Sequence, residues 1–375
     1  MLKILCVFGT RPEVIKMAPV VKHLRMHPEH IDCKVCVTGQ HRQMIDPLIK
    51  LFGLQVDYDL NIMQPNQGLE HITTRVLKEI GELIDREKPD YLVVQGDTTT
   101  AMAGGLAAFY RKVKVAHVEA GLRTWDKQHP FPEEVNRRII DSFADLYFPH
   151  TDAARQNLLK EGVDDKLIEV TGNTVIDALL ETSERPFDVG TIVPESFLDG
   201  RRLIVVTAHR RENFDEPIRN ICKALKSIAD RFPKDVAIIY PVHLNPNIRG
   251  PVQEILAGST NIRLAEPLDY LPFVHLMKRS YLILTDSGGL QEEAPSLGKP
   301  VLVMRQTTER PEGVKAGCVK VIGTEIENIV ENVSELLNTP SSYDRMAQAA
   351  NPYGDGKAGD RIARRFIKES GKGRA

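Results

Sequence analysis

Short runs of β-branched and aliphatic residues alternate with longer amphipathic stretches along the first half of the chain. The runs begin at positions 3, 33, 90, 113, 145 and 167 and read KILCVFG, CKVCVTG, DYLVVQG, VKVAHVE, DLYFPH and LIEVTG. Nearly continuous apolar strands separated by amphipathic helices are typical of a parallel sheet that is covered on both faces. The pattern therefore predicts a doubly wound α/β domain.

The same alternation restarts after a stretch at 185–200 that contains Pro and Gly. The later runs begin at positions 202, 235, 261, 281, 299 and 319 and read RLIVVTAH, DVAIIYPVH, NIRLAE, YLILTDSGG, KPVLVM and VKVIG. We expect two Rossmann-like domains in tandem, 1–172 and 173–353, with the boundary near 172–185. In 354–375 apolar residues recur at helical spacing, which predicts a C-terminal helix that packs back on the N-terminal domain.

Composition excludes several classes of partner. With 49 basic and 51 acidic residues, a formal net charge of −2 and a pI of about 6.6, the chain has no overall field to attract nucleic acid or an anionic membrane. No segment is apolar for long enough to span a bilayer. Five cysteines, an odd number in a chain of 375 residues, indicate reduced thiols and a cytoplasmic protein.

Two motifs resemble cofactor-binding or metal-binding sequences, but their sequence context does not support these roles. GDGKAG at 354–359 has the letters of a dinucleotide-binding loop, but it follows a turn and too few residues remain for the rest of the unit. Cys33 and Cys36 lie three apart in a predicted strand, so they point to opposite faces and are better explained by core packing. We therefore expect chemistry by side chains alone, without a nicotinamide cofactor or a metal.

Polar residues follow the predicted strands of the first domain, where ligands bind in doubly wound sheets. Arg11 and Lys16 come after the first strand at the start of a helix, which favours an anion, although a surface turn explains them equally well. Asp97 and Glu119 follow two neighbouring strands, and a capping or loop role is about as probable as catalysis for both. Glu133 opens a later helix as a third candidate carboxylate.

Glu134, next to Glu133, has a simpler interpretation. A negative charge in the first turn of a helix complements the helix dipole, and this explanation is strong for Glu134. In the second domain, HRR at 209–211 follows the first strand and delivers His209 and Arg210 to its edge. His243 follows the next strand, although a lone histidine there is more often structural.

The segment DSGGLQEEAPSLGKP is the most informative one in the second domain. A strand ends at Ser287, Gly288 and Gly289, and a helix begins at once, so that backbone amides can approach phosphate oxygens. Glu293, one turn later, is a candidate for ribose hydroxyls, with helix-surface charge as the alternative. The residues alone predict a deep cleft between two α/β domains, with phosphate-binding groups and three carboxylates, and hence a nucleotide-sugar enzyme.

At these same positions the chain resembles the non-hydrolysing UDP-N-acetylglucosamine 2-epimerases, which have the two-domain GT-B fold. The similar motifs cover almost the whole chain: GTRPE (9–13), QHRQM (40–44), DYDLNIM (57–63), GDTTT (96–100), HVEAGLRT (117–124), PEEVNR (132–137), GNTVIDAL (172–179), HRREN (209–213), YPVHLNPN (240–247), LTDSGGLQEEAPSLGKPVLV (284–303), TTERPEG (307–313) and NPYGDG (351–356). Gln95 departs from the histidine that many relatives have before GDTTT.

The resemblance implies reversible epimerisation of UDP-GlcNAc to UDP-ManNAc at C2. UDP leaves in an anti elimination that gives 2-acetamidoglucal, and re-addition of UDP completes the inversion, supplying ManNAc units for cell-surface polysaccharide. The C2 proton becomes acidic only as the C1–O bond breaks, so such an enzyme needs charge stabilisation for UDP and placed carboxyl groups for proton transfer.

The resemblance also implies roles for individual residues, which fall into a catalytic, a substrate-binding and an allosteric set. These sets are Asp97, Glu119, Glu133 and His209 for catalysis and diphosphate neutralisation; Arg11, Lys16, Phe273, Ser287, Gly288, Gly289 and Glu293 for UDP and sugar; and Gln40, Gln43, Gln67 and Arg210 for UDP-GlcNAc as an allosteric activator. A homodimer is a further expectation. The alternatives are a GT-B glycosyltransferase, which would need an acceptor and normally one base, and a non-catalytic sugar-nucleotide sensor.

Overall fold

The apolar runs of the N-terminal half form a parallel sheet in the computed structural model, which describes residues 1–39, 42–62, 64 and 67–372. Within these residues the sheet has six strands in the order β3-β2-β1-β4-β5-β6. The strands are β1 (Leu2–Phe8), β2 (Ile31–Val37), β3 (Tyr58–Asp59), β4 (Tyr91–Gln95), β5 (Lys114–Val118) and β6 (Leu146–Phe148). They belong to the first of two compact units, 1–178 together with 354–375.

Helices separate these strands and follow the last of them, and most of the helices are amphipathic, as the sequence predicts. They are α1 (Arg11–Arg25), α2 (Arg42–Phe52), α3 (Leu69–Glu87), α4 (Thr99–Tyr110), α5 (Glu133–Asp141), α6 (Asp152–Lys160) and α7 (Thr174–Ser183), with a 3-10 helix at Asp165–Leu167. Strands β1 and β4 are almost wholly buried because helices cover both faces of the sheet. Cys33 and Cys36 are buried too, which confirms their packing role.

One predicted strand of this unit is wrong and one observed strand was not predicted. LIEVTG at 167–172 forms no strand, because only Ile168 pairs, in an isolated parallel bridge with Tyr147. The outer strand on the other side is β3, whose two residues pair with the end of β2.

The second unit, 179–353, repeats the architecture. Its described residues form another six-stranded parallel sheet, in the order β12-β11-β10-β7-β8-β9. All six strands were predicted from the sequence, and they are β7 (Arg202–Thr207), β8 (Val236–Pro241), β9 (Ile262–Ala265), β10 (Leu282–Thr285), β11 (Val301–Val303) and β12 (Val319–Val321). The fold class is thus confirmed as α/β with two doubly wound sheets.

The helices of the second unit pack on its sheet over a core that consists largely of Ile, Val and Leu side chains. They are α8 (Glu195–Leu198), α9 (Glu216–Arg231), α10 (Pro246–Leu256), α11 (Tyr270–Arg279), α12 (Gly288–Glu293), α13 (Pro311–Ala316), α14 (Ile326–Asn338) and α15 (Pro340–Ala347), with 3-10 helices at Val189–Thr191, Arg211–Asn213 and Ala294–Leu297. No helix among the residues described in either unit has the length and apolar character that crossing a membrane requires.

The last helix, α16 (Ala358–Lys372), belongs to the N-terminal unit and packs on α1. A Cβ at Gly359 would lie 2.9 Å from the carbonyl oxygen of Pro19, so this close approach of the two helices requires glycine. Phe366 is fully buried, with its ring 5.3 Å from Tyr91 and 5.8 Å from Phe148. GDGKAG is accordingly a turn followed by a helix start.

Candidate functional site

The carboxyl ends of β1, β4 and β5 lie side by side, because these strands are neighbours in the N-terminal sheet. Arg11 is the first residue of α1, directly after the β1 loop, and Lys16 lies in the second turn of that helix. Asp97 is in the loop after β4, and Glu119 follows β5. The structure therefore brings four of the predicted site residues to one edge of one sheet.

Glu119 is held at this edge by two side chains. Its Oε2 accepts hydrogen bonds from the ammonium of Lys16, as an ion pair, and from the side-chain amide of Gln95. Its backbone has a φ of 65°, in the left-handed region, which costs about 1–2 kcal/mol for a residue other than glycine. Backbone strain of this kind clusters at functional sites. Gln95, which lies one residue before GDTTT, is thus in direct contact with a candidate carboxylate.

Asp97 is fixed by two consecutive residues of α5. The guanidinium of Arg137 donates to its Oδ2 over 2.7 Å, and the side-chain amide of Asn136 donates to its backbone carbonyl over 2.9 Å. Both residues belong to the PEEVNR motif, and neither was singled out from the sequence. Arg137 is 7% exposed, whereas the side chain of Asp97 is 29% exposed, so water reaches this ion pair from the carboxylate side.

Glu133 and Glu134 open α5 in different environments. Glu134 is fully buried and accepts hydrogen bonds from the backbone N–H groups of Thr124, over 2.9 Å, and Trp125, over 3.1 Å. Glu134 lies in the first turn of α5, where its charge was expected to complement the helix dipole. Its carboxylate also holds the loop that contains Thr124 and Trp125. Glu133 is half-buried, and its buried Oε2 has no hydrogen-bond partner among the described residues. Glu133 thus has a buried oxygen without a partner in the described chain, whereas Asp97 and Glu119 each have an oxygen that is paired with a cation.

Glu13 was not predicted, although it joins two of the loops at this edge. Its Oε2 accepts from the backbone N–H groups of Gly9, over 3.0 Å, and Thr10, over 2.7 Å, while its Oε1 accepts from the hydroxyl of Thr98, over 2.6 Å. Burial raises the pKa of Glu13 above its ordinary value, against these hydrogen bonds, which lower it. The spacing T-x-x-E at 10–13, typical of a helix capping box, was the available signal.

The side chain of His117 holds the loop that follows β4. One ring nitrogen, Nε2, contacts the carbonyl oxygen of Gly96 at 2.7 Å, and Nδ1 contacts the Asp141 carboxylate at 2.6 Å. A carbonyl oxygen only accepts, so Nε2 must be the donor. Burial alone would raise the pKa of Asp141, but His117 and Arg123 outweigh it and hold that pKa below its ordinary value. The fully buried ring thereby fixes the residue immediately before Asp97.

In the second unit, β7 and β10 are neighbours and their carboxyl ends are linked through Asp286. Its buried Oδ2 accepts from the backbone N–H groups of His209, over 2.7 Å, and Arg210, over 2.8 Å. The His209 ring is partly exposed and stacks on His243 at 5.7 Å between centroids. Burial lowers the pKa of His209, and Arg210 and His243 lower it further, against the opposing effect of Asp286.

Ser287 is the N-cap of α12, which begins with Gly288 and Gly289. A Cβ at Gly288 would lie 3.6 Å from Nη2 of Arg210 and 3.9 Å from the guanidinium of Arg310. The Arg210 Nε is buried and makes no hydrogen bond in the described part of the chain. Two guanidinium groups therefore approach the start of this helix, and Arg310 was missed in the sequence although TTERPEG contains it.

Glu293 and Phe273 lie in helices of the second unit and have fewer distinguishing contacts. Glu293 is the last residue of α12 and is half-buried. Phe273 is half-buried in the first turn of α11, and its backbone N–H donates to the carbonyl of Asp269 over 3.0 Å. Both lie in the same unit as His209 and Ser287.

The predicted allosteric residues are only partly within the described chain. Gln40 lies outside the described residues, and Gln43 is in α2. The side-chain oxygen of Gln67 accepts from the backbone N–H of Gln64 over 3.1 Å. Arg210 belongs to the other unit, where it lies beside Gly288.

Two doubly wound units, one with carboxylates at its strand ends and one with guanidinium groups at a glycine-rich helix start, define a GT-B-type α/β protein. The family model described as UDP-N-acetylglucosamine 2-epimerase matches residues 22–367. The UDP-N-acetylglucosamine 2-epimerase of Escherichia coli K12 is 53% identical over 367 residues, covering 96% of this chain and 97% of that protein.

Two solved structures are similar over nearly their whole length. UDP-GlcNAc 2-epimerase from Neisseria meningitidis, bound to UDP-GlcNAc, has a TM-score of 0.87 and 47% identity, covering 98% of this chain and 100% of that one. The Methanocaldococcus jannaschii UDP-GlcNAc 2-epimerase in complex with UDP-GlcNAc and UDP has a TM-score of 0.79 and 36% identity, covering 98% of this chain and 100% of that one. This chain belongs to the UDP-N-acetylglucosamine 2-epimerase family, which confirms the resemblance and favours an isomerase over a glycosyltransferase.

Proposed function

We propose that this protein interconverts UDP-GlcNAc and UDP-ManNAc by eliminating and re-adding UDP. The observation that supports this most directly is the set of carboxylates at one sheet edge. Glu119 is paired with Lys16, and Asp97 is paired with Arg137. A glycosyltransferase needs an acceptor and normally one base, whereas epimerisation at C2 requires proton transfer at two faces of the same carbon.

The reaction balances without an external reactant. In the forward elimination the C1–O bond breaks and its electron pair leaves with UDP, while a carboxylate takes the C2 proton and the C–H electrons form the C1=C2 double bond. In the reverse addition a proton reaches the opposite face of C2 and UDP rebinds C1. Carboxylates held close to the ring also stabilise the positive charge that develops as UDP departs.

The environments of the three carboxylates support a division of roles. Asp97 and Glu119 each share an oxygen with a cation, so we assign them to stabilising the positively charged ring. Glu133 has a buried oxygen without a hydrogen-bond partner in the described residues, and we assign proton exchange with C2 to this carboxylate. A second proton carrier for the opposite face is then Asp97 or Glu119 itself.

We assign UDP recognition chiefly to the second unit. Ser287, Gly288 and Gly289 would hold phosphate through the backbone at the start of α12, and His209 would contact the diphosphate. The cationic surroundings of Gly288 support this assignment. Glu293 would bind ribose.

Three further substrate contacts complete the assignment. The backbone near Phe273 would bind uracil. Arg11 would add a second positive charge for the diphosphate, and Lys16 would support the site through its ion pair with Glu119.

We also retain UDP-GlcNAc as an allosteric activator that contacts Gln40, Gln43, Gln67 and Arg210. The buried Arg210 Nε, which lacks a partner in the described residues, supports ligand contact by this residue. Reverse reactions on pure UDP-ManNAc should start with a lag that added UDP-GlcNAc removes. A linear start that gains nothing from UDP-GlcNAc would refute activation.

Homodimerisation, a role in cell-surface polysaccharide synthesis and a cytoplasmic location are part of the same proposal. The five free, buried thiols support a reducing compartment. Sedimentation of the purified protein tests the dimer.

The decisive experiment is proton NMR of UDP-GlcNAc incubated with the purified protein in D₂O. Formation of UDP-ManNAc with deuterium at C2 is the expected result, because the C2 proton exchanges with solvent through the enzyme. Binding of UDP without product and without exchange would refute the proposal and favour the sugar-nucleotide sensor. Transfer of GlcNAc to an acceptor, also without exchange, would favour the glycosyltransferase.

A further inference from the structure

Trp125, the one tryptophan of the chain, has a backbone and a side chain that are both unfavourable for folding. Its φ is 65°, in the left-handed region that glycine adopts readily and bulky residues avoid. Its side chain is 53% exposed, so about half of this large apolar surface remains in contact with water. Residues held in such conformations are concentrated at functional sites.

The loop that presents Trp125 is tied to the catalytic edge through two hydrogen bonds and two ion pairs. Both oxygens of the fully buried Glu134 accept backbone N–H groups, from Thr124 and Trp125. Arg137 lies 3.6 Å from Glu134 and 2.7 Å from Asp97, through different nitrogens of one guanidinium. The backbone of Trp125 is therefore held by Glu134, which is ion-paired with the Arg137 that holds Asp97.

We propose that Trp125 contacts the substrate and stacks its indole on the apolar face of the N-acetylhexosamine ring at Asp97, Glu119 and Glu133. This inference rests on the proposed epimerase function. The C–H face of a pyranose is apolar, and an aromatic ring provides a rigid surface for it at low entropic cost. We assign the contact to the sugar and not to another part of the substrate, because proton transfer at C2 requires the hexosamine to lie beside the carboxylates.

The uridine is a less suitable occupant, because the residues that we assign to it lie in the other unit. The indole would have a specific role in binding the neutral intermediate of the reaction. Once UDP has left, 2-acetamidoglucal has no charge that would hold it at the site. Stacking on Trp125 retains the intermediate until UDP adds again, and thereby suppresses its escape.

Three substitutions separate the ring from the backbone conformation. Trp125→Gly removes the indole and relieves the positive φ, and Trp125→Asn does the same with a residue that tolerates this region. Trp125→Phe keeps an aromatic ring at the same strained position. Tyr110→Ala, at an exposed aromatic residue at the end of α4, is the matched control.

We expect W125G and W125N to unfold at the temperature of the wild type or above it. Their kcat/KM for UDP-GlcNAc should fall about tenfold, the loss that an aromatic contact of ordinary strength represents. Free 2-acetamidoglucal and UDP should accumulate during their turnover, while W125F and Y110A release no more than the wild type. Wild-type kcat/KM and no added glucal in W125N would overturn the inference.

Intrinsic fluorescence provides a test on the unmodified protein, because Trp125 is its one tryptophan. Emission should change on saturation with UDP-GlcNAc and remain unchanged with UDP alone. The same emission with both ligands would overturn the inference, whatever the stability of the variants. The wild type can form UDP-ManNAc while W125N has normal kcat/KM and the emission is the same with UDP and UDP-GlcNAc. In that case the inference about Trp125 is wrong and the epimerase function is retained. If the wild type forms no UDP-ManNAc, the proposed epimerase function is wrong, and the inference about Trp125 is wrong with it.

Discussion

The guanidinium of Arg137 lies 2.7 Å from the Asp97 carboxylate through Nη2 and 3.6 Å from the Glu134 carboxylate through Nη1. One side chain thus connects a candidate catalytic carboxylate with a structural one. The Nε of the same group is buried and has no hydrogen-bond partner in the described chain. The position of Asp97 consequently depends on a residue that has no predicted contact with the substrate.

Replacing Arg137 should therefore lower turnover through Asp97. We expect Arg137→Lys to lower kcat about 100-fold, because an ammonium cannot reach both carboxylates in the same fork geometry and small misplacements are costly. Steady-state rates and the Kd of UDP provide the measurement. Arg155→Lys, at an exposed pair with Asp165, should leave both unchanged. A normal kcat in R137K would show that Asp97 needs no such support.

The three candidate carboxylates should be individually essential for turnover. Asp97→Asn, Glu119→Gln and Glu133→Gln should each lower kcat by about 100-fold or more, while the Kd of UDP stays close to that of the wild type. Glu79→Gln, at an ion pair on the surface of α3, is the control for loss of one carboxylate. Near-normal turnover in any one variant would remove that residue from the mechanism.

Binding of UDP should be coupled to proton uptake at His209. Burial lowers the pKa of His209 below its ordinary value of 6.5, so the ring of the free protein is mostly neutral at pH 7. A diphosphate favours the charged ring and raises its pKa in the complex. The affinity for UDP should therefore increase as the pH falls from about 8 to about 6 and level off below the pKa of the free protein.

Calorimetry in two buffers of different ionisation enthalpy measures this uptake directly. His209→Asn is the matched variant, since UDP itself titrates in both proteins. The wild type should take up more protons at pH 7 than H209N. Equal uptake in the two proteins would exclude His209 as the coupled group.

The buried Glu13 should make the stability of the protein depend on pH. Burial raises its pKa above the ordinary 4.5, so the folded protein retains this proton to a higher pH than the unfolded chain does. The contribution of Glu13 to stability is then greatest below pH 4.5 and declines as the pH rises through the raised pKa. Glu13→Gln removes this decline because an amide does not titrate, and the amide can keep a hydrogen bond with the Thr98 hydroxyl.

The midpoint of thermal unfolding, measured at a series of pH values, checks this expectation. The midpoint of E13Q relative to the wild type should increase with rising pH. Glu331→Gln, at an exposed position of α14, controls for the loss of one negative charge. A constant difference between E13Q and the wild type would contradict the prediction.

The sequence predicted most of the fold because parallel strands buried on both faces are almost continuously apolar. The two errors have the same cause. Only Ile168 of the LIEVTG run pairs with a neighbouring strand, and β3 consists of Tyr58 and Asp59, which are too few residues to show a pattern. Pairing at the edge of a sheet depends on tertiary contacts more than on local composition.

At the site, the sequence was sufficient to predict the loops that carry the candidate residues. It was less informative about the residues that hold those candidates in place. The candidate residues Asp97 and Glu119 follow strands and could be found by their position. Their partners Arg137 and Gln95 could not, because each becomes a neighbour only when distant segments pack together. Trp125 was overlooked because a positive φ is not visible in residue type.

The N-terminal unit is discontinuous, since α16 completes a structure that begins with β1. During synthesis the ribosome must release the whole second unit, 179–353, before Phe366 can cover Tyr91 and Phe148. The intervening unit contains all of its own sheet and can therefore fold co-translationally. The carboxylate edge, by contrast, belongs to the unit that is completed last, because α16 follows the whole of the second unit along the chain.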